Sequence, residues 1–218
     1  SIPAKMSALN MVLANSKTSA FSENTVEGRI FGGNDQLPKI FAKKLGNKIF
    51  YNRPVQKIMF TDNQVTVHFL ENGKRKDVFG SRCVLAMPLS VLRRVKIDPL
   101  FSESKMHCIR KQAYGHVMKI AMQYGRRFWD EPGSIGQRVF TDTPLRRVYH
   151  FSIDQPGPRG ILLSFTSGDD AAKLGRMSEV RRMETAQKTC TDIWKEAPQY
   201  WEGGVTKYWN EDPWTRAS

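Results

Sequence analysis

No apolar run in the 218-residue chain approaches the ~18 residues that a membrane-spanning helix needs. Cysteine is scarce: Cys83, Cys108 and Cys190 are widely spaced and form no C-x-x-C pair. That number and spacing argue against a disulfide framework and a cysteine zinc site, and leave reduced, structural thiols. His68, His107, His116 and His150 show no metal-ligand spacing, so no metal is expected. There is no internal repeat, no low-complexity tract and no G-x-G-x-x-G turn of the dinucleotide-binding kind. The first twenty-one residues, SIPAKMSALNMVLANSKTSAF, have no charged segment followed by an apolar one. No signal peptide is therefore read, and a cytoplasmic location is favoured, with the N-terminus open to being internal.

Acidic residues are also in short supply. Asp and Glu number 21 against 34 Lys and Arg, a net charge of +13. Such an excess points to nucleic acid, an anionic membrane surface or acidic substrates. Here the charge is spread along the whole chain. Its tightest groups are the doublets Arg93-Arg94, Arg126-Arg127, Arg146-Arg147 and Arg181-Arg182, which read as solvated faces or subunit contacts. No RNA-binding or helix-turn-helix signature accompanies them, so no nucleic-acid partner is expected.

Periodicity supplies the elements. Leu37, Ile40, Phe41 and Leu45 have helical spacing over residues 37–45, with Pro38 in the first turn and Gly46 at the stop. Strands are expected at residues 48–51, 55–60, 64–70 and 76–79. Val65, Val67 and Phe69 alternate with Thr66 and His68, and the Asn72-Gly73 pair marks a tight hairpin. The apolar run RCVLAMP, residues 82–88, reads as a strand buried on both faces, followed by a short helix from Pro88 to Leu92. A helix over residues 104–113 precedes the nine-residue strand HVMKIAMQY, with further strands at 138–141, 147–152 and 160–166. Asp169-Asp170 is read as a helix cap. A helix over 178–195 carries the stripe Met177, Val180, Met183, Ala186, Cys190 and Ile193, and residues 205–209 form a last strand. The order is α+β rather than a βαβ repeat.

Several blocks then resemble one family, in that family's order. They are GGNDQLPKIFAKKLG, IFYNRPVQKI, RCVLAMPLSVLRRVKIDP, YGHVMKIAMQYGRRFW, TDTP with GILLSFTSGDDAA, and YWNEDPWTRAS. Together they are similar to the central part of the FAD-dependent amine oxidases, the group of monoamine, polyamine and L-amino acid oxidases. The resemblance implies a mixed β-sheet substrate domain with flanking helices and a β-hairpin portion of a Rossmann-like, two-dinucleotide-binding FAD domain. The layout it implies is a helical lead-in at 1–30, FAD domain at 31–97, substrate domain at 98–204 and a return to the FAD domain at 205–218.

The resemblance also implies site residues. Gly32 and Gly33 lack Cβ atoms, so their backbone can lie against a flat ring or a pyrophosphate; beside a plain turn, this is the reading the family favours, with Asn34 and Asp35 next to it. Val55 matches a position that binds adenine through its backbone. Lys119, on the face of its strand away from Met118, Ile120 and Met122, matches a lysine that holds a water near flavin N5. Trp209, and less closely Trp214, match a tryptophan packed near the flavin. Phe165 stands where many L-amino acid oxidases carry a tyrosine that binds the substrate carboxylate. Phenylalanine has no such donor, which speaks against a simple α-amino acid substrate or moves that contact to an arginine outside this chain. The implied cofactor is FAD. The implied partners are an amine or amino acid substrate, oxygen, and a second polypeptide with the remaining FAD-binding segments. The competing reading is a non-catalytic basic interaction subunit that keeps the fold.

Overall fold

The computed structural model describes residues 30–216, so all but the last residue of the expected lead-in lies outside the described part. The chain divides into two compact units, one ending at Gln112 and one beginning at Ala113.

The first unit contains helix α1 (Gln36–Leu45), strands β1 (Val55–Phe60), β2 (Val65–Glu71) and β3 (Lys74–Gly80), helix α2 (Leu89–Leu92), strand β4 (Lys96–Asp98) and helix α3 (Glu103–Lys111). Its sheet runs β3-β2-β1-β4, antiparallel except for the parallel β1–β4 pair. The β2–β3 hairpin turns where the sequence places it. Asn72 and Gly73 have φ of 51° and 75°, the two left-handed residues of a tight turn whose twist matches the strands. A small core of Leu92, Ile97 and Ile109, with Phe60, Met87 and Phe101 against it, joins α2, β4 and α3.

Four expectations for this unit change. Residues 48–51 are not a strand: a 3₁₀ turn over Gly46–Lys48 leads into extended chain with Phe50 and Tyr51 exposed. The run 82–88 is not a strand either, and Val84 is 88% exposed. Both have β-type sequences, but an extended segment becomes a strand only when a neighbour takes its backbone hydrogen bonds. On β2 the most buried residue is His68, whose Nδ1 lies 2.5 Å from Asp77 Oδ1 across the hairpin. Cys83 and Cys108 are exposed; only Cys190 is a buried, structural thiol.

The second unit is a five-stranded antiparallel sheet in the order β6-β7-β8-β5-β9. Its strands are β5 (Val117–Tyr124), β6 (Arg138–Phe140), β7 (Arg147–His150), β8 (Gly160–Ser167) and β9 (Trp201–Tyr208). Helices α4 (Gly168–Gly175) and α5 (Glu179–Ile193) pack on one face. Met118, Ile120, Met122 and Tyr124 of β5 are all buried there against Leu162, Ala171, Leu174, Ala186 and Cys190. Burial pushes the Cys190 thiol up to about 11, so it stays protonated. Around Tyr124, the rings of Phe128, Trp129 and Trp201 meet edge to face with centroids 5.1–5.7 Å away.

Helix α5 departs from its expected stripe. Val180 is 67% exposed, while Arg182, at 2%, is buried. The Arg182 guanidinium donates to the carbonyls of Leu174 and Gly175 at the end of α4 and binds Glu211. The other doublets are likewise not plain solvated faces. Arg127 donates to the carbonyls of Arg159 and Gln155, Arg93 to that of Ile109, and Arg146 pairs with Asp170. Asp169 and Asp170 lie inside the first turn of α4 rather than capping it.

Gly160 opens β8 against the fully buried Trp129. A Cβ there would come within 2.5 Å of a Trp129 ring carbon and 2.8 Å of Arg127 Cγ. Gly160→Ala is expected to lower stability by about 1–3 kcal/mol through overpacking, read as a lower midpoint in thermal unfolding.

Candidate functional site

The alternation of β5 that buries Met118 and Ile120 sends Lys119 to the opposite, half-buried face of the second sheet. Register then builds a row across four strands. Lys119 pairs with Phe165 on β8 and with Lys207 on β9. Its Nζ stands 5.6 Å from the centroid of the Phe165 ring. On the other side of that ring, Arg147 of β7 places its Cζ 5.0 Å from the Phe165 centroid and 5.3 Å from that of Tyr149. Trp209 follows β9, two residues beyond Lys207 and so on the same face. Its amide donates to the Val117 carbonyl at 3.2 Å, and Lys207 Nζ lies 5.1 Å over its ring.

Among the described residues no carboxylate pairs with Lys119 or Arg147, whereas Arg146 and Lys207 have Asp170 and Asp212. Arg147 Nε is buried without a hydrogen-bond partner. The row is thus cationic and aromatic, with two uncompensated positive charges on either side of one phenyl ring. Such a surface receives anions and flat, electron-rich groups.

The structure therefore brings Lys119, Phe165 and Trp209 onto one face. Trp214 is not in the row: it is 63% exposed, in a turn where its amide donates to Asp212 Oδ1 at 3.0 Å. The bonds from Lys207 and from the Trp214 amide hold the Asp212 carboxyl below the usual carboxylate range. Arg147 is the residue that reading by doublets missed. The signal was its strand parity: in the stretch RVYH, Val148 and His150 are buried while Arg147 and Tyr149 take the other face.

Gly32, Gly33, Asn34 and Val55 belong to the first unit. Gly32 and Gly33 have φ of 81° and 113°, and the Gly33 amide donates to the Ile30 carbonyl. A turn before α1 is sufficient to require both glycines. Gly32 and Asn34 are exposed and Gly33 half-buried, and the side chains of Gln36 and Asp35 lie against the two glycines where a Cβ would stand. Val55 is half-buried at the start of β1, next to a bulge between Val55 and Lys57. β4 pairs only with Lys57, Ile58 and Met59, so Val55 reaches beyond that ladder. This suits recognition of a ring by main-chain groups. Among the described residues no cluster of His, Cys, Asp and Glu is arranged to hold a metal ion. No helix among them is long and apolar enough to cross a membrane.

Comparison with known proteins gives a family match, described as flavin containing amine oxidoreductase, over residues 6–218. The chain is similar to the L-amino-acid oxidase of Siganus canaliculatus, 29% identical over 200 residues that cover 89% of this chain and 38% of that protein. It is also similar to the flavin-dependent L-tryptophan oxidase RebO of Lentzea aerocolonigenes, 29% identical over 198 residues, covering 87% of this chain and 41% of that one. A solved triple mutant of putrescine oxidase superposes with a TM-score of 0.75 at 26% identity, over 86% of this chain and 41% of that one. The mixed α/β architecture with two sheets matches that oxidase fold. The chain spans about two fifths of the length of these relatives.

The Asp212 contacts carry a pH signature. A carboxyl whose pKa is lowered on folding adds stability above its unfolded value, and that stability is lost as pH falls through the folded one. Asp212→Asn should melt below the wild type at pH 7, and the gap should close progressively as pH falls below the ordinary Asp value of ~3.9. A gap unchanged by acid would show that the charge on Asp212 contributes nothing.

Proposed function

The chain belongs to the flavin-containing amine oxidoreductase family, and on that premise we propose that it is the central, substrate-side part of an FAD-dependent enzyme that oxidises an amine or L-amino acid. Bound FAD would supply the redox step, accepting a hydride from the substrate carbon that bears nitrogen, with oxygen as the final acceptor. The imine product would hydrolyse to a keto acid or aldehyde and ammonia. The observation that carries this reading is Lys119: a lysine on a half-buried face, beside Phe165 and near Trp209 through Lys207, with no paired carboxylate among the described residues.

The residues divide by role. Lys119 is a preorganised cation that would hold a water and offset negative charge developing on the cofactor beside it. Trp209 would provide a flat apolar wall, with Trp214 a weaker candidate in its exposed turn. Gly32, Gly33 and Asn34 would meet the cofactor through bare backbone, and Val55 through its main-chain groups. Phe165 would line the substrate side and, lacking a hydroxyl, would shape the space without donating a hydrogen bond. In this reading residues 31–97 belong to the Rossmann-like FAD domain, 98–204 to the substrate domain and 205–218 to the return, although residues 98–112 pack compactly with the first unit. α1 has no buried residue, and Leu37, Ile40 and Phe41 lie 49–55% exposed. That apolar face favours completion by FAD-binding polypeptide outside this sequence, in the same longer chain or in a second one.

The test uses the flavin-loaded protein that contains these residues. Anaerobic mixing with amines and amino acids should bleach the flavin bands. Lys119→Met keeps the side-chain length and removes the charge. It should slow reoxidation by oxygen on the order of 100-fold, the loss typical of one well-placed electrostatic group, and change the reduction step much less. Stopped-flow measurement of the two half-reactions separates these effects. Equal reoxidation rates would reduce Lys119 to a structural lysine. A purified protein that holds no flavin would favour the basic interaction subunit, which the net charge of +13 otherwise recommends.

A further inference from the structure

The relatives include oxidases named for L-amino acids and one named for a diamine, and besides the reacting amine these substrates carry groups of opposite charge: a carboxylate on the same carbon in the one, a second ammonium at the far end in the other. We propose that Arg147 is the carboxylate-binding residue of this site, so that the substrate is an amino acid and not a diamine. The proposal rests on the oxidase reading above and adds the substrate class to it.

Arg147 sits on β7 on the Lys119 face, half-buried, with its guanidinium over both Phe165 and Tyr149. These rings hold the guanidinium while its two Nη groups stay unbonded among the described residues, since a ring face attracts the cation without taking its hydrogens. Among the described residues no carboxylate pairs with it, and its buried Nε has no acceptor. Each of the other doublets contributes an arginine bound to carbonyls or acids: Arg93, Arg127, and Arg182 with Glu211. The immediate neighbour Arg146 takes Asp170. Among the described residues Arg147 and Arg216 each have a buried Nε without an acceptor, and of the two it is Arg147 that is held against aromatic rings on the Lys119 face.

A carboxylate would answer that geometry. The two Nη groups of a guanidinium form a parallel pair of donors that matches the two oxygens of a carboxylate, a planar bidentate contact that lysine does not make; in Arg147 it is these groups, and not the buried Nε, that remain to make it. Lys119, across Phe165, adds a second positive charge to the same face at longer range, so that a carboxylate is favoured there and the second ammonium of a diamine disfavoured. The lost tyrosine hydroxyl at Phe165 is then no obstacle to an amino acid. The phenyl ring gives up a direct hydrogen bond and instead positions the arginine that makes one.

The experiment uses the flavin-loaded enzyme and 3-phenylpropionate, an acid with no amine to oxidise, against its neutral amide. Calorimetric titration should show the acid binding at least tenfold more tightly. Arg147→Met should erase that preference, and Arg147→Lys should restore part of it by returning the charge without the fork. In turnover, Arg147→Met should lower kcat/KM for L-phenylalanine roughly 100-fold, chiefly through KM, as expected when one member of a charge pair is removed. The same change should leave L-phenylalaninamide little affected. A comparison of L-glutamate with L-glutamine tells an α-carboxylate from a side-chain carboxylate as the group bound. Equal binding of acid and amide by the wild type, or a preference that survives in Arg147→Met, overturns the proposal. The two readings fail separately. Amine oxidation without preference for a carboxylate removes only the role of Arg147; acid-selective binding lost in Arg147→Met, with no amine oxidised, removes only the oxidase reading.

Discussion

The two-residue period of β5 is the constraint on which the second unit depends. The strand lies inside the sheet, with β8 on one side and β9 on the other. A slip of one residue would move Met118, Ile120, Met122 and Tyr124 out of the core and drive Lys119 into it, a change that hydrophobic burial forbids. The register that hides four apolar side chains is therefore the register that presents Lys119, and Phe165, Lys207 and Arg147 fall into line beside it through strand pairing. Core and candidate site are two sides of one sheet.

The charge of the chain reads differently once the arginines are located. Several arginines do structural work at carbonyl groups. Arg182 ends α4 and ties in Glu211; Arg127 gathers the loop before β8; Arg93 fastens α2 to α3. A guanidinium has five donors in a fixed fork, and its hydrogen bonds to carbonyl oxygens use no acid. Against these, Arg147 has its guanidinium held by rings and no acid among the described residues.

The first unit shows the opposite balance. Its hairpin and its small core around Leu92, Ile97 and Ile109 are built locally. The apolar face of α1 and the segment around Val84 are nevertheless left exposed. Those sequences are written for burial, and the neighbours that would bury them are not among the described residues.

The sequence by itself determined the elements that depend on neighbours close along the chain. The Asn72-Gly73 hairpin follows from two residues that accept positive φ, the span of α1 from apolar spacing and Gly46, and the two faces of β5 from strict alternation. Family order across the blocks made the flavin-containing family legible. Tertiary structure alone decided which extended runs became strands, since residues 48–51 and 82–88 have the right composition but no partner for their backbone. It alone paired Lys57 with Asp98 across the parallel β1–β4 ladder. It also separated Arg147 from Arg146. The two are adjacent and chemically identical in the sequence, and they differ because Arg146, left-handed just before β7, turns toward Asp170 while Arg147, the first residue of the strand, lies against Phe165. A side chain's chemistry is local, but its partner is chosen by strand register, which joins residues far apart in the chain.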